Sequence, residues 1–309
     1  MTDTYRLMSH KGADIYIKRD DLIPFSFGGN KVRIVERAMR DMAEKGCDAV
    51  IGYGSRTSNL NRVLAHMAAH RGIPCTIIMK EDKAPGMPMN ERFVRESGAS
   101  VVMCRPDSIR TAVEQEMSRL RELGRRPYYI YGSSLGTGNE TVLMDAYRDA
   151  YEEICAYEER EGIHFTHIFL ASGTGMTQAG LLAGSALKDD GRQITGISVA
   201  RTRERGTDII GSALRAYLSE KGFDGSLPEI IFRDEYVGEG YGAGNRELSE
   251  LCRHMLSAYG LPLDPIYTGK AFLGMLKEIE RKGIDTPVLF LHTGGLPGVF
   301  DAAYGDMLS

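Results

Sequence analysis

Several features that mark other classes of protein are scarce in this chain. Cysteine is one. The five cysteines, Cys47, Cys75, Cys104, Cys155 and Cys252, are scattered, odd in number and never spaced Cys-x-x-Cys. That excludes a disulfide framework and points to a reducing cytoplasm. Excess charge is another. A net charge of −4 gives no electrostatic ground for a nucleic-acid or anionic-membrane partner. No apolar run is long enough to span a bilayer. The opening MTDTYRLMSHKGADIYIKRDD is too polar and acidic for a signal peptide. No repeat of solenoid period occurs. What is present is an ordinary globular composition, 42% apolar and 26% charged, over 309 residues. That length suits two domains, or one large α/β domain with an insertion. The 36 glycines fit a fold with many tight strand-to-helix turns.

Apolar periodicity predicts strands at 13–18, 49–51, 75–79, 100–104, 128–131, 167–170, 194–199 and 288–291. Between them it predicts helices at 32–45, 60–70, 92–97, 108–123, 138–159 and 176–188. Such alternation implies an α/β fold, parallel-rich open sheets with helices on both faces. The loop 80–90, with two prolines and a glycine, reads as mobile and lid-like. Ligands of such sheets sit at the carboxyl ends of strands, so the turns after strands are where chemistry is sought.

Four short runs stand out. In Phe27-Gly28-Gly29-Asn30-Lys31, a lysine follows a glycine turn and opens a helix. The positive end of the helix dipole favours its neutral amine, which makes Lys31 a candidate Schiff-base lysine; the alternative on this run alone is a solvated lysine after a glycine turn. The turn Gly52 to Asn59 offers hydroxyls, an amide and free helix N–H groups. These suit a carboxylate, or else Ser58 or Asn59 merely caps the next helix. The turn Ala171 to Gly180 is glycine-rich with Thr174 and Thr177, a cradle for phosphate. It also resembles a degenerate dinucleotide fingerprint, with Arg201 placed to meet a 2′-phosphate, so an NADP-dependent oxidoreductase is an alternative. In His292-Thr293-Gly294-Gly295, a glycine pair either lets backbone approach a flat ligand, with Thr293 as a neutral hydroxyl, or makes an ordinary strand-to-helix turn. An amine, a phosphate cradle, a flat slot and a carboxylate site together suit pyridoxal 5′-phosphate and an amino-acid substrate.

These runs, with Ile17-Lys18-Arg19-Asp20-Asp21-Leu22, Gly240-Tyr241-Gly242 and Asp264-Pro265-Ile266-Tyr267-Thr268-Gly269-Lys270, resemble the D-cysteine desulfhydrase and 1-aminocyclopropane-1-carboxylate deaminase family over nearly the whole chain. The family lies within the fold type II, tryptophan synthase β-like pyridoxal phosphate enzymes. The resemblance implies that Lys31 holds the cofactor and takes the Cα proton. It implies that Asn59 bonds the ring hydroxyl oxygen, that Thr174, Gly175, Met176 and Thr177 bind the phosphate, and that Thr293 faces the pyridine nitrogen. Thr57, Ser58 and Asn59 would meet the substrate, Ser58 also as a second acid/base, and Tyr241 and Tyr267 would line the substrate side. It implies a large domain of residues 1–34 and 144–309, a small mobile domain of residues 35–143, and a homodimer.

Thr268 and Thr293 resemble the desulfhydrase pattern; the deaminase carries Glu and Leu there. A neutral partner for the pyridine nitrogen suits elimination. The family's Gln-Ser-Asn-His reads Thr57-Ser58-Asn59-Leu60 here, which leaves the substrate open, and Arg56 either favours an anionic side chain or points to solvent. The expected activity is α,β-elimination on a small, D-cysteine-like amino acid in the cytoplasm. β-Replacement, racemisation and a non-catalytic cofactor-binding protein are the alternatives within the fold. Three weaker signals have bland readings. His66 and His70 lack the further ligands of a zinc site, the run 201–205 reads as a solvated loop, and the fifteen methionines as core filler.

Overall fold

The computed structural model describes residues 2–82, 86–238 and 245–301. In chain order the strands are β1 (Thr4–His10), β2 (Ala13–Arg19), β3 (Ala49–Gly54), β4 (Cys75–Lys80), β5 (Ser100–Cys104), β6 (Pro127–Tyr129), β7 (His167–Ser172), β8 (Gln193–Ser198), β9 (Ile231–Arg233) and β10 (Val288–His292). The helices are α1 (Asn30–Glu44), α2 (Asn59–His70), α3 (Met89–Glu96), α4 (Ile109–Glu122), α5 (Glu140–Glu161), α6 (Met176–Lys188), α7 (Arg203–Glu220), α8 (Arg246–Tyr259), α9 (Thr268–Lys282) and α10 (Leu296–Val299). The chain divides into two units, residues 1–30 with 144–309, and residues 31–143.

The first unit holds a six-stranded sheet in the order β1-β2-β10-β7-β8-β9. Strand β10 lies between β2 and β7, parallel to both. Its sequence, Val-Leu-Phe-Leu-His, is apolar almost throughout because both its faces are covered. Phe290 packs edge-on against Phe272 of α9, 5.0 Å between centroids, inside a core that includes Ile15, Ile17, Phe169 and Ile197. Only β1 runs antiparallel within this sheet's described strands, joined to β2 through Lys11-Gly12, both at positive φ, a two-residue hairpin.

The second unit holds a four-stranded parallel sheet, β5-β4-β3-β6. Ala49, Ile51, Ile78 and Tyr129 form one face of its core with Val113 and Leu120 of α4.

The expected strands and helices are all present, most with ends displaced by one to three residues. The run 201–205 is different. It is solvated, but it is not a loop: Thr202 accepts from the Arg205 N–H and caps α7, which begins at Arg203. The expectation for loop 80–90 falls partly outside the described residues, at 83–85, and Met89 already belongs to α3.

Candidate active site

Parallel strands β2, β10 and β7 are neighbours, so the segments that leave their carboxyl ends lie side by side in the first unit. From β2 the chain passes through Asp20–Gly29, from β10 through Thr293–Gly295, and from β7 through Gly173–Gly175.

The motif after β2 is a buried electrostatic frame. Lys18 is 1% exposed and pairs with Glu153 at 2.7 Å. Arg19 grips both oxygens of Asp21, at 2.8 and 2.7 Å. Asp20 accepts from Thr2 and from the Tyr147 hydroxyl at 2.6 Å, and its carbonyl accepts from the Gly29 N–H. Buried charges persist only when paired in this way. The frame holds a strained segment: Ser26, Phe27, Gly28 and Gly29 all have positive φ, the first two without a glycine's freedom. A Cβ on Gly28 would lie 2.0 Å from the Asp21 carbonyl oxygen, and one on Gly29 would lie 2.9 Å from that of Thr293. Only glycine fits at either position.

Asn30 completes this junction, and the sequence reading gave it no role. Its N–H donates to the Thr293 carbonyl at 3.0 Å, and its Nδ2 donates to the Thr177 Oγ1 at 3.0 Å. One side chain thereby links the β10 turn to the first turn of α6. Its position inside the glycine-lysine run was the available signal.

Helix α6 starts without a side-chain cap. Its N-cap is Gly175, left-handed at φ 94°. An uncapped N-terminus offers backbone N–H groups to an anion. Met176 and Thr177 belong to that first turn, and Thr174, just before it, is exposed. Ser172, at the end of β7, buries a hydroxyl that has no hydrogen-bond partner among the described residues.

Thr293 is buried, and His292 beside it is held by Pro262 O at 2.9 Å. Gly294 and Gly295 are left-handed, and a Cβ on Gly295 would lie 2.3 Å from Asp264 Oδ2. Asp264 is itself buried at the start of α9, where it accepts from the N–H groups of Ile266, Tyr267 and Thr268 and from the Thr268 hydroxyl at 2.8 Å. Burial pushes its carboxyl up, opposed by those donors. Tyr267 is thus fixed through its backbone, and Thr268 is turned inward. Tyr241 lies outside the described residues.

Lys31 is the second residue of α1 and is partly buried. Its ammonium is lowered from 10.5 to about 8. The direction is the expected one, and its cause is desolvation by burial.

In the second unit, the turn after β3 is ordered by its own side chains. Ser58 caps α2 by accepting from the Asn61 N–H at 3.3 Å, and Thr57 Oγ1 lies 3.1 Å from Ser55 Oγ. Asn59 Oδ1 accepts from Arg62 and Asn90. Leu60 is buried. Arg56 does not point to solvent: it pairs with Glu91 at 2.5 Å and Asp82 at 3.0 Å, and donates to the Gly86 carbonyl. Two carboxylates already answer its charge, which argues against a role in holding an anionic substrate. His66 stacks edge-on with Phe93 at 6.1 Å, a packing role.

The family model for pyridoxal-phosphate dependent enzymes matches residues 2–294. The chain belongs to this family. It is an enzyme of that class, its cofactor is pyridoxal phosphate, and its fold is that of the fold type II members. A D-cysteine desulfhydrase of Yersinia pestis (strain Pestoides F) is 30% identical over 303 residues, 96% of this chain and 90% of that protein. A 1-aminocyclopropane-1-carboxylate deaminase of Burkholderia multivorans (strain ATCC 17616 / 249) is 30% identical over 321 residues, 97% of this chain and 93% of that one. A solved structure of an ACC deaminase homologue superposes with a TM-score of 0.86 at 30% identity, covering 99% of this chain and 92% of the other. The nicotinamide alternative for the Ala171–Gly180 turn is therefore set aside. Arg201 accordingly has a local role, its backbone tied to Ser198 Oγ.

In the first unit, an uncapped helix start suits the phosphate of pyridoxal phosphate, and a neutral threonine beside paired left-handed glycines suits its ring; in the second unit, a desolvated lysine suits its aldehyde.

Proposed function

We propose that this enzyme is a lyase carrying out α,β-elimination on a small β-substituted amino acid of the D-cysteine type, giving a keto acid and ammonia. We further propose that it works as a cytoplasmic homodimer. The observation that carries the reading is Lys31, an amine lowered to about 8 at the end of a strained glycine turn. When bound, pyridoxal phosphate supplies an aldehyde for amines and an electron sink for the carbon next to the substrate nitrogen.

The protein residues do the rest. The start of α6 and the two residues before it, Thr174, Gly175, Met176 and Thr177, anchor the phosphate by N–H donation. Thr293 presents a hydroxyl, not a carboxylate, to the ring. Asn59 donates its amide to the ring oxygen. Lys31 Nζ, free to be neutral near pH 8, takes the Cα proton. The hydroxyls of Thr57 and Ser58 donate to the substrate carboxylate, and Ser58 Oγ, whose lone pair already serves the Asn61 N–H, keeps its proton for that purpose. Tyr267, fixed by Asp264, lines the substrate side. The β substituent leaves with its bonding pair, and water completes conversion to keto acid and ammonia.

The test is product analysis. Incubation with D-cysteine or a related β-substituted amino acid is expected to release pyruvate, ammonia and the β substituent in equal amounts. Exchange of the Cα proton with solvent, or a shift of chirality, without release would overturn elimination.

A further inference from the structure

Asn59 sits on a polar support that the proposed reaction does not itself use. Arg62, one turn along α2, is 1% exposed. Its Nη1 donates at 2.5 Å to Asn59 Oδ1 and at 2.9 Å to Asn90 Oδ1. Asn90, buried at the start of α3, donates from Nδ2 to Asn59 Oδ1 at 3.1 Å and to the Thr57 carbonyl at 2.7 Å. Two donors therefore converge on the Asn59 amide oxygen. They fix which end is oxygen and leave Nδ2 as the free donor, without an acceptor among the described residues. Both of the Arg62 bonds come from a cationic donor. A cation on the amide oxygen draws electrons toward it and strengthens its N–H groups as donors. The cost is a buried charge: desolvation lowers the Arg62 guanidinium to about 10.

We propose that Arg62 and Asn90 are positioning residues, which orient and polarise Asn59 so that its Nδ2 donates to the ring oxygen of pyridoxal phosphate. The proposal rests on the role given to Asn59 above. Asn90 also anchors the Thr57 carbonyl, so it helps set the turn that carries Thr57 and Ser58.

A double-mutant cycle tests this, read by the dissociation constant of pyridoxal phosphate and the absorption maximum of the bound cofactor. Asn59→Ala alone is expected to weaken binding roughly tenfold and shift the maximum. Arg62→Met is expected to do the same in the wild-type background and almost nothing further in Asn59→Ala, with Arg62→Lys partly restoring the wild-type spectrum. Asn90→Ala serves as the second entry to the cycle if Arg62→Met does not fold. Additive losses in the two backgrounds would show a merely structural Arg62 and overturn the proposal while leaving Asn59 in its role. An Asn59→Ala variant with unchanged affinity and spectrum would overturn the role of Asn59 as well.

Discussion

At the scale of single residues, Lys31 has a titration that separates it from a surface lysine. With its ammonium at about 8, about one molecule in ten carries the neutral amine at pH 7, against about one in three thousand for a lysine at 10.5. The rate at which cofactor-free protein captures pyridoxal phosphate is therefore expected to climb tenfold per pH unit below 8 and to level off above it. Stopped-flow absorbance would show this, and a climb continuing to pH 10 would contradict it. Stability moves in a matching window. Between about 8 and 10.5 the unfolded chain holds a proton at Lys31 that the folded chain has released, so the cofactor-free fold gains stability as pH rises through that window. Below 8 the full burial penalty is present. Arg56 shows the limit of sequence at this scale. Its partners Asp82 and Glu91 lie 26 and 35 residues away, and no local pattern announces such a pair. The position of Lys31 at a helix start after a glycine turn, by contrast, was legible because turn, helix and preceding strand are all local.

At the scale of elements, the turns were legible and several helices were not. Helices α7, α8 and α9 and the β1–β2 hairpin were absent from the sequence reading. Glycines in helices explain much of this, since they ordinarily count against helix. Here they serve close packing. A Cβ on Gly206 of α7 would lie 2.4 Å from the Phe232 ring, and one on Gly269 of α9 would lie 2.8 Å from Cys252 Sγ. The same device places α6 against α5, where Gly180 and Gly184 meet Tyr147 and Tyr151. Gly180 belongs to a recognised motif, yet its contact with Tyr147 is visible only in three dimensions.

Two substitutions test the turns as elements. Gly295→Ala forces a side chain onto a φ of 106° and against Asp264, and is expected to destabilise the fold by on the order of 2 kcal/mol in denaturant unfolding. Gly175→Ala, with φ 94° and a Cβ 2.7 Å from Ile210 Cγ1, distorts the uncapped start of α6. It is expected to weaken binding of inorganic phosphate and of pyridoxal phosphate together, as isothermal calorimetry would measure. Loss of one without the other would show that the phosphate is held elsewhere.

At the scale of the whole molecule, the alternation of strand and helix was enough to predict an α/β fold with parallel-rich sheets. The division at Asn30/Lys31 and Leu143/Met144 is not marked by any linker-like composition, because both boundaries fall within helices, α1 and α5. Among the described residues, no helix is long and apolar enough to cross a membrane. The proposed homodimer is testable by sedimentation equilibrium, where a mass about twice the 34.1 kDa of the chain is expected and a concentration-independent monomer would contradict it.

The most direct test of the central claim, that Lys31 holds pyridoxal phosphate for chemistry on a small amino acid, is the visible spectrum of the purified enzyme. It would be followed as D- and L-cysteine, cysteate, serine, 2,3-diaminopropionate and aminocyclopropane carboxylate are added in turn, beside the Lys31→Ala variant. The account predicts a visible cofactor band in the wild type that shifts with a β-substituted amino acid, and a folded Lys31→Ala protein that lacks turnover. A wild-type protein with no visible band after cofactor is added, or a Lys31→Ala variant with substantial turnover, would contradict it.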